Sequence, residues 1–486
     1  MIGHHRADDI RAAEAATGRL LTDGVLMRRA STGLATVVLA ELRRRCGRVY
    51  GSQVGLVVGT GDNGADALYA GARLARRGVQ VHALLIDPER VHRGAATAFT
   101  RCGGRLCTRL PDGCDLVIDA VVGLGGRGPL RPRVAAVFAE VSAPIVAVDL
   151  PSGVDADTGV VHDPSVRAAV TVTFGVRRRA HVLAAPVCGR VEVVDIGITC
   201  PTADLVTFSD PEVGVLWPVP GPGDDKYTQG VLGVIAGSDR YPGAAILCVG
   251  AAVAATSGMV RYVGSAAAQV VSAHPEVVVA PDLESVGRVQ AWVIGPGAGT
   301  DATAAATLAR VLADDVPVLV DADAITVLAA HLDWVRERTA PTLLTPHAGE
   351  FARLTGAPVP ADRVTAVEEL AADLGATVLL KGRITVIAHP RGPTVVNDAE
   401  SSWAATAGAG DVLSGLAGAL LAAGIDAPSA GAAAARVHAR AAALAAAGAP
   451  IGASDLLAAV RGAIGAIRIG VAPEAIGPAV GQSRLP

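Results

Sequence analysis

Asp411 is the first residue whose surroundings suggest chemistry. It follows Thr406-Ala407-Gly408-Ala409-Gly410 and opens the apolar run Val412-Leu413-Ser414-Gly415. Small residues ahead of an apolar helix let successive backbone N–H groups converge on an anionic oxygen. A carboxylate at such a helix start is expected in its ionised form; within reach of a substrate hydroxyl it can act as base while the N–H groups hold a transferring phosphate. Lys381-Gly382-Arg383-Ile384-Thr385 reads as strand, turn and strand, a hairpin offering donors to a second phosphate. Thr345-Pro346-His347-Ala348-Gly349-Glu350 closes a strand before a helix, presenting His347 to a ligand and Glu350 to a magnesium-bound water. Gly295-Pro296-Gly297-Ala298-Gly299-Thr300 permits close backbone approach to a flat ligand. No GxxxxGK[ST] occurs, so neither Lys226 nor Lys381 belongs to a Walker loop.

A second group lies in the first half of the chain. Gly59-Thr60-Gly61-Asp62-Asn63-Gly64 matches GxGxxG between a strand and a helix, with Asp87 at the end of the next strand. Taken alone this spells a dinucleotide-dependent dehydrogenase. A pyrophosphate, however, needs bare N–H groups at the helix start, and Asp62 and Asp66 crowd that place with negative charge. Asp119 and Asp149 end predicted parallel strands and should meet the Asp62–Asp66 loop at one crevice. Oxygen ligands without His or Cys suit an alkali or alkaline-earth ion rather than zinc. Singly, each Asp also reads as a helix cap or turn residue.

These groups need a scaffold of alternating strands and helices, and the composition supplies it. The 486 residues are 51% hydrophobic and 18% charged, too apolar for disorder and too long for one ordinary core. Short apolar runs alternate with Ala-rich helical stretches, the pattern of βαβ units and parallel sheets. Strands are predicted at 53–59, 79–86, 115–121, 144–150 and 190–196, and again at 230–236, 291–295, 317–320, 377–380 and 384–388. The prolines of Trp217-Pro218-Val219-Pro220-Gly221-Pro222-Gly223 cannot continue a ladder, so a linker at 217–224 should divide a first domain, 1–216, from a second, 225–486. The uncharged stretch from Pro242 to Val260 is Ala- and Gly-rich, which favours a buried helix over a membrane span.

Composition also excludes partners. A formal charge of -4 with scattered Arg argues against nucleic acid, and the first residues lack the apolar core of a secretory signal, so a cytoplasmic location is expected. Seven cysteines without CxxC spacing read as reduced structural thiols. Only two lysines, Lys226 and Lys381, and two asparagines, Asn63 and Asn397, survive a bias toward Arg, Ala, Gly and Val. Lys persists where one ammonium must reach one oxygen, which makes these residues leads.

The first-half motifs, with Asp119-Ala120-Val121-Val122-Gly123, Asp149-Leu150-Pro151-Ser152-Gly153 and Val191-Glu192-Val193-Val194-Asp195-Ile196-Gly197, resemble the NAD(P)H-hydrate epimerase family. The resemblance implies a Rossmann-like three-layer domain in which Asn63, Asp119 and Ser152 hold potassium. It also implies that Asp62, Asn63, Gly64, Ala65, Asp66, the loop Gly123-Leu124-Gly125-Gly126-Arg127-Gly128-Pro129 and Asp149 contact hydrated NADH or NADPH. Interconverting R and S hydrates needs proton shuttling, and Asp149 is the expected acid/base. The family loop usually reads Asn-Asn-Gly-Gly-Asp-Gly, and Asp62, Ala65 and Ala67 depart from it. Arg28 and Arg29 stand where the family has Glu and Asn.

The second-half motifs, with Lys226-Tyr227-Thr228-Gln229-Gly230, Gly237-Ser238, Tyr241-Pro242-Gly243-Ala244 and Asp321-Ala322-Asp323, resemble the ADP/ATP-dependent NAD(P)H-hydrate dehydratases, a ribokinase-like three-layer α/β family. That implies a hydrate site of Ala244, Gly297, His347 and Asp411 and a nucleotide site of Lys381, Gly382, Arg383, Ile384, Thr385 and Gly410. ADP with magnesium would phosphorylate the ring hydroxyl, Asp411 serving as base, before phosphate leaves. A homo-oligomer acting on small molecules is expected. The alternatives are a ribokinase-like vitamin or sugar kinase with a regulatory first domain, or a first half acting only as a nucleotide sensor.

Overall fold

A computed structural model describes residues 1–469 and divides the chain into two compact units. The first unit is Gly3–Leu205. Its seven-stranded sheet runs Arg105–Cys107, Gln80–Leu85, Gln53–Val58, Leu116–Ala120, Ile145–Val148, Val170–Phe174 and Arg190–Val194 in spatial order, every pair parallel. Parallel strands are covered on both faces and therefore read as continuous apolar runs. Helices Val25–Cys46, Asp62–Ala75 and Arg93–Arg101 contribute Leu34, Leu68 and Phe99 to that core, each fully buried and worth about 1.5–3 kcal/mol. Chain order moves outward in one direction from Gln53–Val58 and in the other from Leu116–Ala120. The switch point lies between those two strands, and a crevice must open beyond their carboxyl ends. Gly59 marks how tightly they meet, since a side chain there would start 2.1 Å from the Val121 carbonyl oxygen.

The second unit takes Val206 onward, together with Met1–Ile2. Its parallel strands, in spatial order, are Val278–Ala280, Met259–Val263, Val231–Ile235, Ala291–Ile294, Val318–Val320, Thr342–Leu344 and Thr377–Leu380. Two antiparallel strands, Ile384–Ala388 and Thr394–Asp398, extend it. Here the switch point falls between Val231–Ile235 and Ala291–Ile294, and Gly237 donates to the Pro296 carbonyl across it at 2.6 Å.

The units part at residue 205, earlier than the linker expected at 217–224. Residues 206–217 carry their own anchors to the second unit: Ser209 caps helix Asp210–Leu216, Arg436 and Arg440 clasp Asp210 at 2.6 and 2.9 Å, and the buried Trp217 indole donates to the Ala255 carbonyl at 2.9 Å. The apolar stretch after Tyr241 forms helix Pro242–Ala255, and no helix among the described residues is long and apolar enough to cross a membrane.

Candidate active sites

A cavity of about 890 Å³ occupies the switch-point crevice of the first unit. Asp62, Asn63, Asp66, Asp149 and all of Gly123–Pro129 line it, joined by Arg11, Glu14 and Arg178, which sequence reasoning missed. Gly64 and Ala65 do not face it; they are buried in the first turn of helix Asp62–Ala75. Asp119 and Ser152 lie just beneath. Asp119 is fully buried, and its carboxylate accepts from the Ser152 amide and hydroxyl, both at 2.7 Å, and from the Val121 amide at 3.3 Å. Burial pushes its carboxyl up to about 6, with those donors holding it lower than burial alone would. The Ser152 hydroxyl in turn accepts from the Val122 amide at 3.2 Å, and Asn63 Nδ2 donates to the Val148 carbonyl at 2.8 Å.

Asp149 is held in an uncommon backbone conformation for an L-residue, φ 68°, which costs about 1–3 kcal/mol. Its surroundings fix it there. Its amide donates to the Val172 carbonyl at 2.7 Å, and its Oδ1 accepts from Arg178 Nη2 at 2.8 Å and Thr173 Oγ1 at 3.1 Å. The Arg178 amide donates to His181 Nδ1 at 3.0 Å, so the proton sits on Nε2, which donates to the Asp149 carbonyl at 2.8 Å. Burial drives the His181 imidazole down to about 3, and it stays neutral. Asp66, in contrast, is 6% exposed and its Oδ1 finds no partner among the described residues. Burial, then the charges of Asp62, Asp149 and Glu14, raise its carboxyl well above the usual range. The negative charge expected at this helix start is therefore smaller than two ionised aspartates would make it.

In the second unit, Lys381 is the centre of the site. Its Nζ lies 2.6 Å from Asp321 Oδ1 and 3.6 Å from Glu350 Oε2, and Ser414 Oγ donates to Asp321 Oδ2 at 2.7 Å. Burial opposes the lysine's charge, but Asp321 and Glu350 outweigh it and raise its affinity for protons. Lys381 thus pairs with a carboxylate from a strand end, Asp321, and one from the first turn of helix Ala348–Thr355, Glu350, a role not foreseen for a nucleotide-turn residue. Gly408, at φ 87°, bends the chain into helix Ala409–Ala422, whose first turn leaves the Gly410 and Asp411 amides without intrahelical acceptors. Gly410 packs near Lys381 Nζ, and Ala244 lies beside Gly297.

Asp411 corrects one expectation. The helix start does not keep it ionised: burial, then the Asp321 charge, lift it to about 7 against the pull of Lys381. His347 caps helix Ala348–Thr355, its Nδ1 accepting from the Gly349 and Glu350 amides at 2.9 and 3.1 Å, while its amide donates to Glu350 Oε2 at 2.8 Å. Its ring is half exposed, with Nε2 lying 3.4 Å from Glu350 Oε1. The turn Lys381–Thr385 is a hairpin as expected, with the Thr385 hydroxyl on the Gly382 carbonyl at 3.0 Å and Arg383 on Asp398 at 3.3 Å. Lys226 is exposed and sits over the Tyr227 ring, and Asp225 Oδ1 caps that turn through the Tyr227 and Thr228 amides. Asn397 lies in strand Thr394–Asp398, buried, donating to the Ala435 carbonyl at 3.4 Å.

Two doubly wound α/β units, the first with a polar cavity at its switch point and the second with a polar cluster beyond the carboxyl ends of its parallel strands and an Asp at an anion-receptive helix start, define a two-domain nucleotide-directed protein. The family comparisons sharpen that class. The model for the YjeF-related protein N-terminus matches residues 23–180, and the NAD(P)H-hydrate dehydratase model matches residues 232–472. The bifunctional NAD(P)H-hydrate repair enzyme of Mycobacterium leprae is 58% identical over 466 residues, 94% of this chain and 98% of that protein. Its counterpart in Mycobacterium tuberculosis is 58% identical over 434 residues, 89% of this chain and 91% of that one. A ribokinase-like superfamily protein from Enterococcus faecalis superposes with a TM-score of 0.50 at 24% identity, covering 55% of this chain and 98% of its own, which establishes the fold of the second unit. The chain belongs to the bifunctional NAD(P)H-hydrate repair enzyme family.

Proposed function

We propose that this protein repairs hydrated NADH and NADPH, the first unit interconverting the R and S hydrates and the second dehydrating the S hydrate with a nucleotide as phosphoryl donor. Asp411 is the observation that carries the reading. A carboxyl lifted to about 7 sits among the free amides of a helix start, in reach of the charges of the Lys381–Asp321 pair, which Ser414 holds through Asp321. A general base works best when its pKa lies near the working pH. Asp411 would accept the proton of the ring hydroxyl as its oxygen attacks the terminal phosphorus of the nucleotide. The Gly410 and Asp411 amides would receive the transferring group. The terminal P–O bond of the donor breaks and the shortened nucleotide leaves; phosphorylation has then turned hydroxide, a poor leaving group, into phosphate, and its departure, helped by the ring-nitrogen lone pair, followed by loss of a proton from the neighbouring ring carbon restores the ring double bond.

ADP is the proposed donor, bound along Lys381–Thr385. Magnesium fits oxygen ligands, and Glu350 is the carboxylate placed to hold its water shell; when bound it would neutralise charge on the phosphoryl oxygens. In the first unit, Asn63, Asp119 and Ser152 gather around the Val121–Gly123 backbone with no imidazole or thiol among them; Asn63 Nδ2 donates to the Val148 and Val122 carbonyls and the Ser152 hydroxyl to Asp119. That donor set suits potassium, held beneath the cleft floor. Single-turnover assays with S hydrate and ADP test the dehydratase reading: release of inorganic phosphate with return of reduced-nicotinamide absorbance is expected, and a stable phosphorylated product would overturn it.

A further inference from the structure

Among the carboxyls lining the cleft of the first unit, the one expected to move a proton is tied down by its neighbours. Asp149 Oδ1 is held by Arg178 and Thr173, in a pair whose side chains are only 2% and 3% exposed, and its backbone is fixed by Val172 and His181. Asp66 reaches the same cleft from helix Asp62–Ala75, is itself nine-tenths buried, and has an oxygen with no partner among the described residues. An unsatisfied buried polar atom costs about 1–3 kcal/mol, so it calls for a compensating use.

Resting on the epimerase reading, we propose that Asp66 is the proton-transferring catalytic residue of this unit and that the Asp149–Arg178 pair positions the substrate. Asp66 gives its proton to the hydroxyl oxygen on the ring carbon beside the ring nitrogen. The C–O bond breaks and its electron pair leaves with water, while the nitrogen lone pair forms a C=N bond to that carbon. Water then adds to either face, the C=N pair returns to nitrogen, and the Asp66 carboxylate takes back the proton. Addition to the opposite face gives the other epimer, and atoms and charge balance.

The surroundings suit both halves of this cycle. The groups whose charge reaches Asp66 are Asp62 on its own helix, Glu14 on helix Ala7–Ala16 and Asp149 beyond strand Ile145–Val148, all acidic, and the Arg178 charge is engaged by Asp149. Burial, then the neighbouring carboxylates, favour the protonated form of Asp66. The same carboxylates stabilise a cationic ring once the hydroxyl has left. Glu14 follows the same logic more weakly: burial raises it, and Arg178 pulls it back.

The test is the pH profile of hydrate epimerisation by the full-length protein, measured on a single purified epimer of hydrated NADH without nucleotide. Because Asp66 acts in its protonated form, the wild-type rate should fall as pH rises through the Asp66 pKa. Asp66→Asn should lower kcat by about 10²–10⁴-fold and abolish that limb, with KM changed little. Asp149→Asn should raise KM while keeping the limb. Retention of dehydratase activity reports an intact chain. Should Asp66→Asn fail to fold, Asp66→Glu must still displace the limb. An unchanged limb in either Asp66 variant overturns the assignment, whereas a wild-type protein that does not epimerise at all overturns the epimerase reading instead.

Discussion

At the scale of single residues, two aspartates expected to carry charge at helix starts, Asp66 and Asp411, are both raised by burial. Asp411 sits at a helix start that favours ionisation, yet burial and the Asp321 charge win and lift it to about 7. A base acts when deprotonated, so the dehydration rate should rise with pH through roughly neutral values, and a rate independent of pH from 5 to 9 would contradict this role. Asp411→Asn should reduce dehydration by at least about 10²-fold while leaving epimerisation untouched. Lys381 lowers the Asp411 proton affinity. Lys381→Met should therefore shift the pH limb of dehydration upward as well as weakening nucleotide binding; a change in nucleotide KM alone would confine Lys381 to binding. Two of the rare residues, Asn63 and Lys381, fall in sites, whereas Lys226 and Asn397 serve a surface turn and a buried strand.

At the scale of elements, buried pairs and close contacts set the stability. Replacing Arg178 by Met would leave the Asp149 carboxylate unpaired in a buried site, and a loss of about 3–5 kcal/mol is expected in denaturant unfolding of the first unit. Gly415→Ala would place a methyl 2.1 Å from the Cys248 carbonyl, where helix Ala409–Ala422 crosses helix Pro242–Ala255, and should cost about 1–3 kcal/mol in the second unit. The strands that frame both switch points were legible because their runs are apolar and end in Gly or Asp. Val170–Phe174 was not, because its alternating threonines look like a solvated face; in the fold they are buried, Thr171 on the Cys188 carbonyl and Thr173 on Asp149. Met259–Val263 merged with the Ala-rich helix before it, since composition barely changes across Thr256-Ser257-Gly258. Some loop residues of the two sites, such as Gly59–Gly64 and Gly408–Asp411, were visible from local spacing, whereas Gly123–Pro129, Ser152 and Ala244 came from the family resemblance. Arg11, Glu14 and Arg178 were hidden because only tertiary structure brings distant segments to one cleft, and Arg178 lies within an unremarkable arginine triplet.

At the scale of the whole molecule, the chain carries two reactions in two units, each with its own sheet and its own polar cluster. Separate sites predict complementation: neither Asp66→Asn nor Asp411→Asn alone should clear a mixture of hydrates, but the two variants mixed should do so through released substrate. Failure of the mixture, with each variant folded, would mean the reactions share a site. Most direct is to incubate the wild-type protein with both epimers of hydrated NADH, ADP, magnesium and potassium, and to follow each epimer by chromatography. Both should disappear, with reduced-nicotinamide absorbance restored in proportion. Loss of the S hydrate alone would contradict the epimerase half, and persistence of both would contradict the account as a whole.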